Sequence, residues 1–306
     1  MSPRWSQRDA DKYAPREPSV RRVPLSTGLA YEVLEWDAES DHTVVLLHGF
    51  LDFARSWQPV VEAGPLTGMH LIAPDLRGHG RSDRVGPGGY YHFPDYLADL
   101  RSLIQELGRA RVSLVGHSMG GSIASYYAGS FPSTIFRMAL LEGLGPPEDD
   151  SELPSRIAAW VGAWHRQAKA RPKRYADIAA AAARLIAQDE RLDPELAHWL
   201  ASHGTEPAPE GDGVQFLHDP LHLTTGPAPF RVESAASFWR RIQAEVLLVE
   251  ATESVFRHAP EEAARRRAYL PPHRLELIPD AGHLMLRHQP EALGRLLQDF
   301  LGRHDP

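Results

Sequence analysis

Short apolar runs recur along the chain, separated by segments with helical spacing. YEVLEW (31–36) alternates apolar and polar positions, as a strand with one wet face should. TVVLLH (43–48), HLIAPD (70–75), RVSLVG (111–116), FRMALLE (136–142), EVLLVEA (245–251) and HRLELIP (273–279) are nearly continuous apolar runs. Such runs predict strands buried on both faces. Between them, 55–63, 95–107, 119–130, 260–269 and 290–301 carry helix-like periodicity. Strand–helix alternation with buried strands predicts a mainly parallel sheet covered by helices on both sides.

The alternation stops between about 146 and 240. That segment opens with PPEDD, runs through Ala-rich amphipathic stretches at 151–170 and 173–200, and ends in a Pro-, Gly- and His-rich loop at 203–230. The pattern predicts three parts: an N-terminal arm (1–22), charged and loosely packed; a core made of 23–145 and 241–306; and a helical cap (146–240) inserted between two core strands.

Composition narrows the chemistry. The 306 residues carry 33 Lys and Arg against 40 Asp and Glu, a net charge of −7. That balance argues against a nucleic-acid partner, which needs clustered cations. The absence of cysteine removes disulfides, thiolate metal sites and a Cys nucleophile. The 16 histidines are scattered, with neither HExxH nor paired ligand spacing, so no metal is expected. The N-terminus has no apolar leader pattern, and no apolar run approaches 18 residues. The expectation is a cytoplasmic protein with no membrane partner, monomeric or homodimeric, acting on a small molecule.

One string carries chemistry. Gly116-His117-Ser118-Met119-Gly120 is a G-x-S-x-G set between an apolar strand and a helix. A sharp turn there points the Ser118 hydroxyl away from the sheet, and the two glycines leave room for it. His48-Gly49-Phe50 ends another buried strand. A serine nucleophile needs two backbone N–H donors for the developing oxyanion, and Phe50 and Met119 are the candidates. His48 itself reads as a structural residue. The base should be a histidine after the last strand: His283, in Ala281-Gly282-His283, with His288 as competitor.

HGFLDFARSW (48–57), APDLRGHGRSD (73–83), GHSMGG (116–121) and DAGH (280–283) occur in an order and spacing that resemble the α/β-hydrolase family, most closely its serine hydrolase-like branch. The resemblance implies an eight-stranded sheet, a cap over the active site and no required cofactor. It makes Asp75, Arg77 and His79 scaffold residues.

The orienting acid is open between two residues. The usual place follows EVLLVEA, where Glu253 is the available carboxylate but the usual Gly and Asp pattern is missing. The other is Glu142, ending the strand beside the nucleophile's. MALLEGLGP resembles the segment in which haloalkane dehalogenases place a Glu. Glu142 is preferred, because a carboxylate at an apolar strand end needs a partner such as the base.

With Ser at position 118, acyl chemistry fits and dehalogenation does not. The expected activity is carboxylesterase-like cleavage of a small ester, thioester or lactone. The alternatives are a non-hydrolytic receptor or pseudoenzyme of the same fold, or a carbon–carbon bond hydrolase. Trp160, Trp164, Trp199, Phe216, Phe230 and Trp239 could line an acyl pocket or simply pack the cap on the core. His218 and His222 could face the pocket mouth or lie as a surface pair.

Overall fold

The computed structural model describes residues 16–167, 171–209 and 211–303. An eight-stranded sheet runs through it in the order β1-β2-β4-β3-β5-β6-β10-β11. These strands are β1 (Ser19–Pro24), β2 (Ala30–Trp36), β3 (His42–Leu47), β4 (His70–Pro74), β5 (Arg111–His117), β6 (Arg137–Leu141), β10 (Glu245–Ala251) and β11 (His273–Ile278). The β1–β2 and β2–β4 pairs are antiparallel, and the other pairs are parallel.

Period-two alternation sorts each strand's side chains to opposite faces. Val45, Leu47, Leu114, Met138, Leu140, Val246 and Leu248 enter one core cluster. Their neighbours Val44, Leu46, Val115, Ala139, Leu141, Leu247 and Val249 enter the other. Both faces are therefore dry, which is why the strands read as unbroken apolar runs. Helices α2 (Phe93–Leu107) and α3 (Met119–Ser130) close the first face. Helices α1 (Gln58–Ala63), α9 (Met285–His288) and α10 (Pro290–Leu301) close the second. Pro94 sits in the first turn of α2, and Gly108, in a left-handed conformation, ends it.

The expected arm splits in two. Residues 1–15 lie outside the described residues. Residues 19–22, read as part of the loosely packed arm, instead belong to the antiparallel edge strand β1, registered on β2 from Ser19↔Glu35 to Pro24↔Ala30. The arm's charged and Pro-rich composition hid it, because an edge strand needs few apolar positions.

The segment expected as a helical cap contains α4 (Leu153–Gln167), α5 (Ile178–Gln188) and α6 (Pro194–Gly204). The single stretch 173–200 is thus two helices. Asp177 and Asp193 cap α5 and α6 by accepting backbone N–H groups, and Pro194 starts α6. The segment is not purely helical either: β7 (Arg174–Tyr175), β8 (Thr205–Pro207) and β9 (Val214–Phe216) form a three-stranded antiparallel sheet. Its strands are too short to show a period. Helix α7 (Val232–Trp239), at the end of the same segment, packs on α3. There Trp239 is buried and donates to the Ser125 hydroxyl at 3.1 Å. This helix belongs physically to the core layer.

One buried ion pair fixes the loop after β4. The Arg77 guanidinium donates to both Asp99 oxygens at 2.6 and 2.8 Å. The Tyr31 hydroxyl donates to the same carboxylate at 2.5 Å. Asp99→Ala would leave the buried guanidinium with only the partly exposed Asp95 carboxylate, 3.0 Å away. It is expected to lower unfolding stability by about 3–5 kcal/mol, read from urea denaturation.

Candidate active site

Strand β5 ends at His117 and helix α3 begins at Met119, leaving Ser118 alone to make the turn. Its backbone sits at φ 52°, ψ −113°, a strained conformation for a residue with a side chain. The turn survives because the sheet holds it from behind. Ser118 N–H donates to the Leu141 carbonyl of β6 at 2.9 Å. It also needs two glycines: a Cβ on Gly116 would lie 2.4 Å from the Gly120 backbone, and one on Gly120 would lie 2.3 Å from the Leu47 carbonyl.

The structure brings Ser118, His283 and Glu142 together. The Ser118 hydroxyl donates to His283 Nε2 at 3.0 Å, and His283 Nδ1–H donates to Glu142 Oε2 at 2.6 Å. Glu142 lies just past β6, with φ 48° and its N–H on the Val249 carbonyl at 2.9 Å. Glu253 is elsewhere: it pairs with Arg191, and its side chain is 43% exposed. His288 does not meet Ser118 either. Its Nδ1 accepts from Gly282 N–H at 3.0 Å, and its Nε2 faces Asp189.

Phe50 and Met119 both line the cleft that holds Ser118. Met119 is the first residue of α3, where a helix leaves N–H groups without an intrahelical acceptor. The loop carrying Phe50 is braced by two buried histidines. His48 donates to the Gly49 carbonyl at 2.8 Å and accepts from Leu76 N–H at 3.0 Å. His79 donates to the Arg77 carbonyl at 2.9 Å and accepts from Leu51 N–H at 3.3 Å. Asp75 accepts from Ala54 and Arg81 N–H groups, each at 2.7 Å. These contacts hold the loops around Phe50 and Gly80 against each other.

The cleft has a volume of about 1230 Å³. Its apolar wall comes from Phe93, Leu140, Leu144, Pro146, Leu248 and Phe256. None of the six aromatic residues singled out between 160 and 239 is among its lining residues. Trp160 and Trp164 pack on Tyr90, Trp199 on His203, Phe216 on Tyr175, and Phe230 lies over Gly145. His222 is buried between His79 and Tyr91, with centroid distances of 4.1 and 3.9 Å, and is no surface residue. His218 lines a smaller adjoining chamber of about 440 Å³.

A family model described as the α/β-hydrolase fold matches residues 42–286. The chain belongs to the α/β-hydrolase family. The serine hydrolase-like protein of Danio rerio is 24% identical over 300 residues, covering 95% of this chain and 90% of that protein. That similarity agrees with the serine hydrolase-like branch that the sequence motifs resemble. The 3-hydroxybutyrate-oligomer hydrolase of Cupriavidus necator is 29% identical over 283 residues, covering 88% of this chain and 92% of the relative. Among solved structures, the hypothetical protein PA1622 of Pseudomonas aeruginosa PAO1 superposes with a TM-score of 0.83 at 26% identity, over 94% of this chain and all of that one.

Sequence reading missed two polar groups in this α/β-hydrolase site. Ser254 donates its hydroxyl to Glu142 Oε2 at 2.7 Å, while Ala251 N–H donates to Oε1 at 3.1 Å. Burial would raise the Glu142 pKa, but the bonds from His283, Ser254 and Ala251 outweigh it and hold the carboxyl below its ordinary value. The other is His117, whose Nε2–H donates to the His283 carbonyl at 2.8 Å and ties the loop carrying His283 to β5. Only the position of His117 beside Ser118 could have flagged it. Among the described residues, no helix is long and apolar enough to cross a membrane, and no His, Cys, Asp and Glu group could hold a metal ion.

Burial is the main cause that lowers both His117 and His222 to about 4. The unfolded chain takes up those protons near the ordinary histidine value of about 6.5, before the folded chain does. Stability from these groups is thus fully present above about pH 6.5 and is lost as pH falls toward about 4. Two such protons give a slope of up to about 2.7 kcal/mol per pH unit in that window. Urea unfolding across the window should show the decline. A flat profile would contradict the neutral, buried state of both rings.

Proposed function

We propose that this protein is a serine hydrolase that cleaves an ester or thioester with an apolar acyl group. The hydrogen-bonded chain from Ser118 through His283 to Glu142 carries the reading. Ser118 Oγ attacks the acyl carbon while His283 Nε2 takes its proton. The oxyanion that forms is held by the Phe50 and Met119 N–H groups. The carbonyl then re-forms, the bond to the leaving group breaks, and the proton on His283 passes to that group. Water, activated by the same histidine, attacks the acyl-enzyme and returns the hydroxyl to Ser118. Glu142 keeps the proton of neutral His283 on Nδ1 and stabilises the imidazolium formed at each step.

The substrate class follows from the wall. Most of the surface that the cleft presents is apolar, although many of its lining residues are polar, and the Phe256 ring lies 4.5 Å from that of His283. A cleft of about 1230 Å³ accommodates a bulky acyl group. The relative named for hydrolysis of hydroxybutyrate oligomers, an ester class, supports the same chemistry.

A fluorophosphonate probe followed by peptide mapping tests the nucleophile. The expected result is one adduct on Ser118, absent from Ser118→Ala and from denatured protein. No adduct on folded protein would favour the non-catalytic receptor. Turnover of a diketone but not of nitrophenyl esters would favour carbon–carbon hydrolysis. Glu142→Gln should lower kcat on the order of 10³–10⁴-fold, as loss of a triad acid does, and Glu253→Gln should leave it nearly unchanged. The reverse ranking would move the acid to Glu253.

A further inference from the structure

The turn after α5 reaches both loops that support the proposed base. Asp189 ends α5, its N–H shared between the Leu185 and Ile186 carbonyls at 3.1 Å each. Its two carboxylate oxygens lie 3.0 and 2.9 Å from His288 Nε2. His288 Nδ1 in turn accepts from Gly282 N–H at 3.0 Å, and Gly282 directly precedes His283. An imidazole that accepts at Nδ1 carries its proton at Nε2, so the neutral ring serves both neighbours. The two side chains are 5% and 9% exposed, so water competes little for these bonds.

Two residues on, Arg191 pairs with Glu253. Glu253 N–H donates to the Ala281 carbonyl at 2.9 Å, and the next residue, Ser254, holds Glu142. One short turn thus grips the loop before the base and the loop that seats its acid. Asp189, Glu190 and Arg191 also line the cleft, so a substrate seated there meets the same turn.

We propose that Asp189 and His288 are positioning residues that make the base's geometry depend on how the inserted segment is seated. Asp189 fixes His288, which fixes Gly282, which sets the approach of His283 to Ser118. Arg191 and Glu253 brace the second loop more weakly, because an ion pair this exposed is screened. The inference rests on the reading of Ser118 and His283 as nucleophile and base.

The test is the rate at which a fluorophosphonate labels Ser118 in the full chain, normalised to the folded fraction by circular dichroism. Asp189→Ala is expected to slow labelling at least about tenfold through misplacement of the base. Asp189→Asn keeps an oxygen that accepts from His288 and should stay within about threefold of wild type. Amide exchange at Gly282, taken relative to amides of the central strands, should accelerate in Asp189→Ala and not in Asp189→Asn, which separates loss of this bond from a general loss of stability. Equal labelling of wild type and Asp189→Ala would overturn the positioning role alone. Equal slowing in both variants would overturn the hydrogen-bond relay. Failure of wild type to label at Ser118 would overturn the nucleophile, and this role with it.

Discussion

Everything in the site depends on one backbone conformation, that of Ser118. A residue with a side chain at φ 52°, ψ −113° is disfavoured by on the order of 1–3 kcal/mol, so its surroundings must leave no alternative. The sheet does this through the bond from Ser118 N–H to Leu141, and α3 through close packing of Gly120 on the Leu47 carbonyl. The strain is not isolated. The described non-glycine residues with positive φ are Asp37, Leu51, Ser118, Glu142 and Asp280. Leu51, Ser118 and Glu142 line the cleft, and Asp280 lies in the loop that delivers His283. The mainly parallel sheet absorbs these local costs and presents Ser118, Glu142 and His283 where the strands end.

That arrangement explains why an acid after β6 reaches His283. Strand β6 lies between β5 and β10, so the residues following all three strands converge on one spot. Glu142 leaves β6 with positive φ and lies beneath β10's end, where Ala251 N–H and the Ser254 hydroxyl supply donors. The loop after β10, where an acid is more usual, here contributes a hydroxyl to hold one. Its carboxylate, Glu253, turns outward to Arg191.

Legibility in the sequence followed the range of the physical cause. The central strands were readable because both faces are buried, α3 because its glycine-marked start is a local signal, and α10 because its start and its period are. Ser118 was readable because only a pair of glycines permits its turn. His283 and Glu142 were readable as positions, and their meeting is a matter of tertiary structure. Strand β1 was lost to its polar composition, and β7 to β9 to their length. The link from His288 to Asp189 spans 99 residues and leaves no periodic trace. Neither residue type nor local pattern distinguishes such a pair from two ordinary surface groups.

The division of labour between the two parts of the chain follows from where apolar and polar contacts fall. The wall of the cleft is built chiefly from residues at the ends of the sheet's strands and the loops after them, such as Leu140, Leu248 and Phe256. The aromatic residues of the inserted segment are spent on seating that segment, as in the packing of Trp160 and Trp164 on Tyr90. The insertion adds Pro146, Pro147 and Leu185 to that wall, and its polar contribution is Gln188, Asp189, Glu190, Arg191 and Thr225. Apolar contacts are tolerant of small shifts, whereas hydrogen bonds lose their strength within a few tenths of an ångström and tens of degrees. Under the proposed hydrolysis, a wall that accepts an acyl group is suited to the first kind. The turn proposed to position His283 is suited to the second.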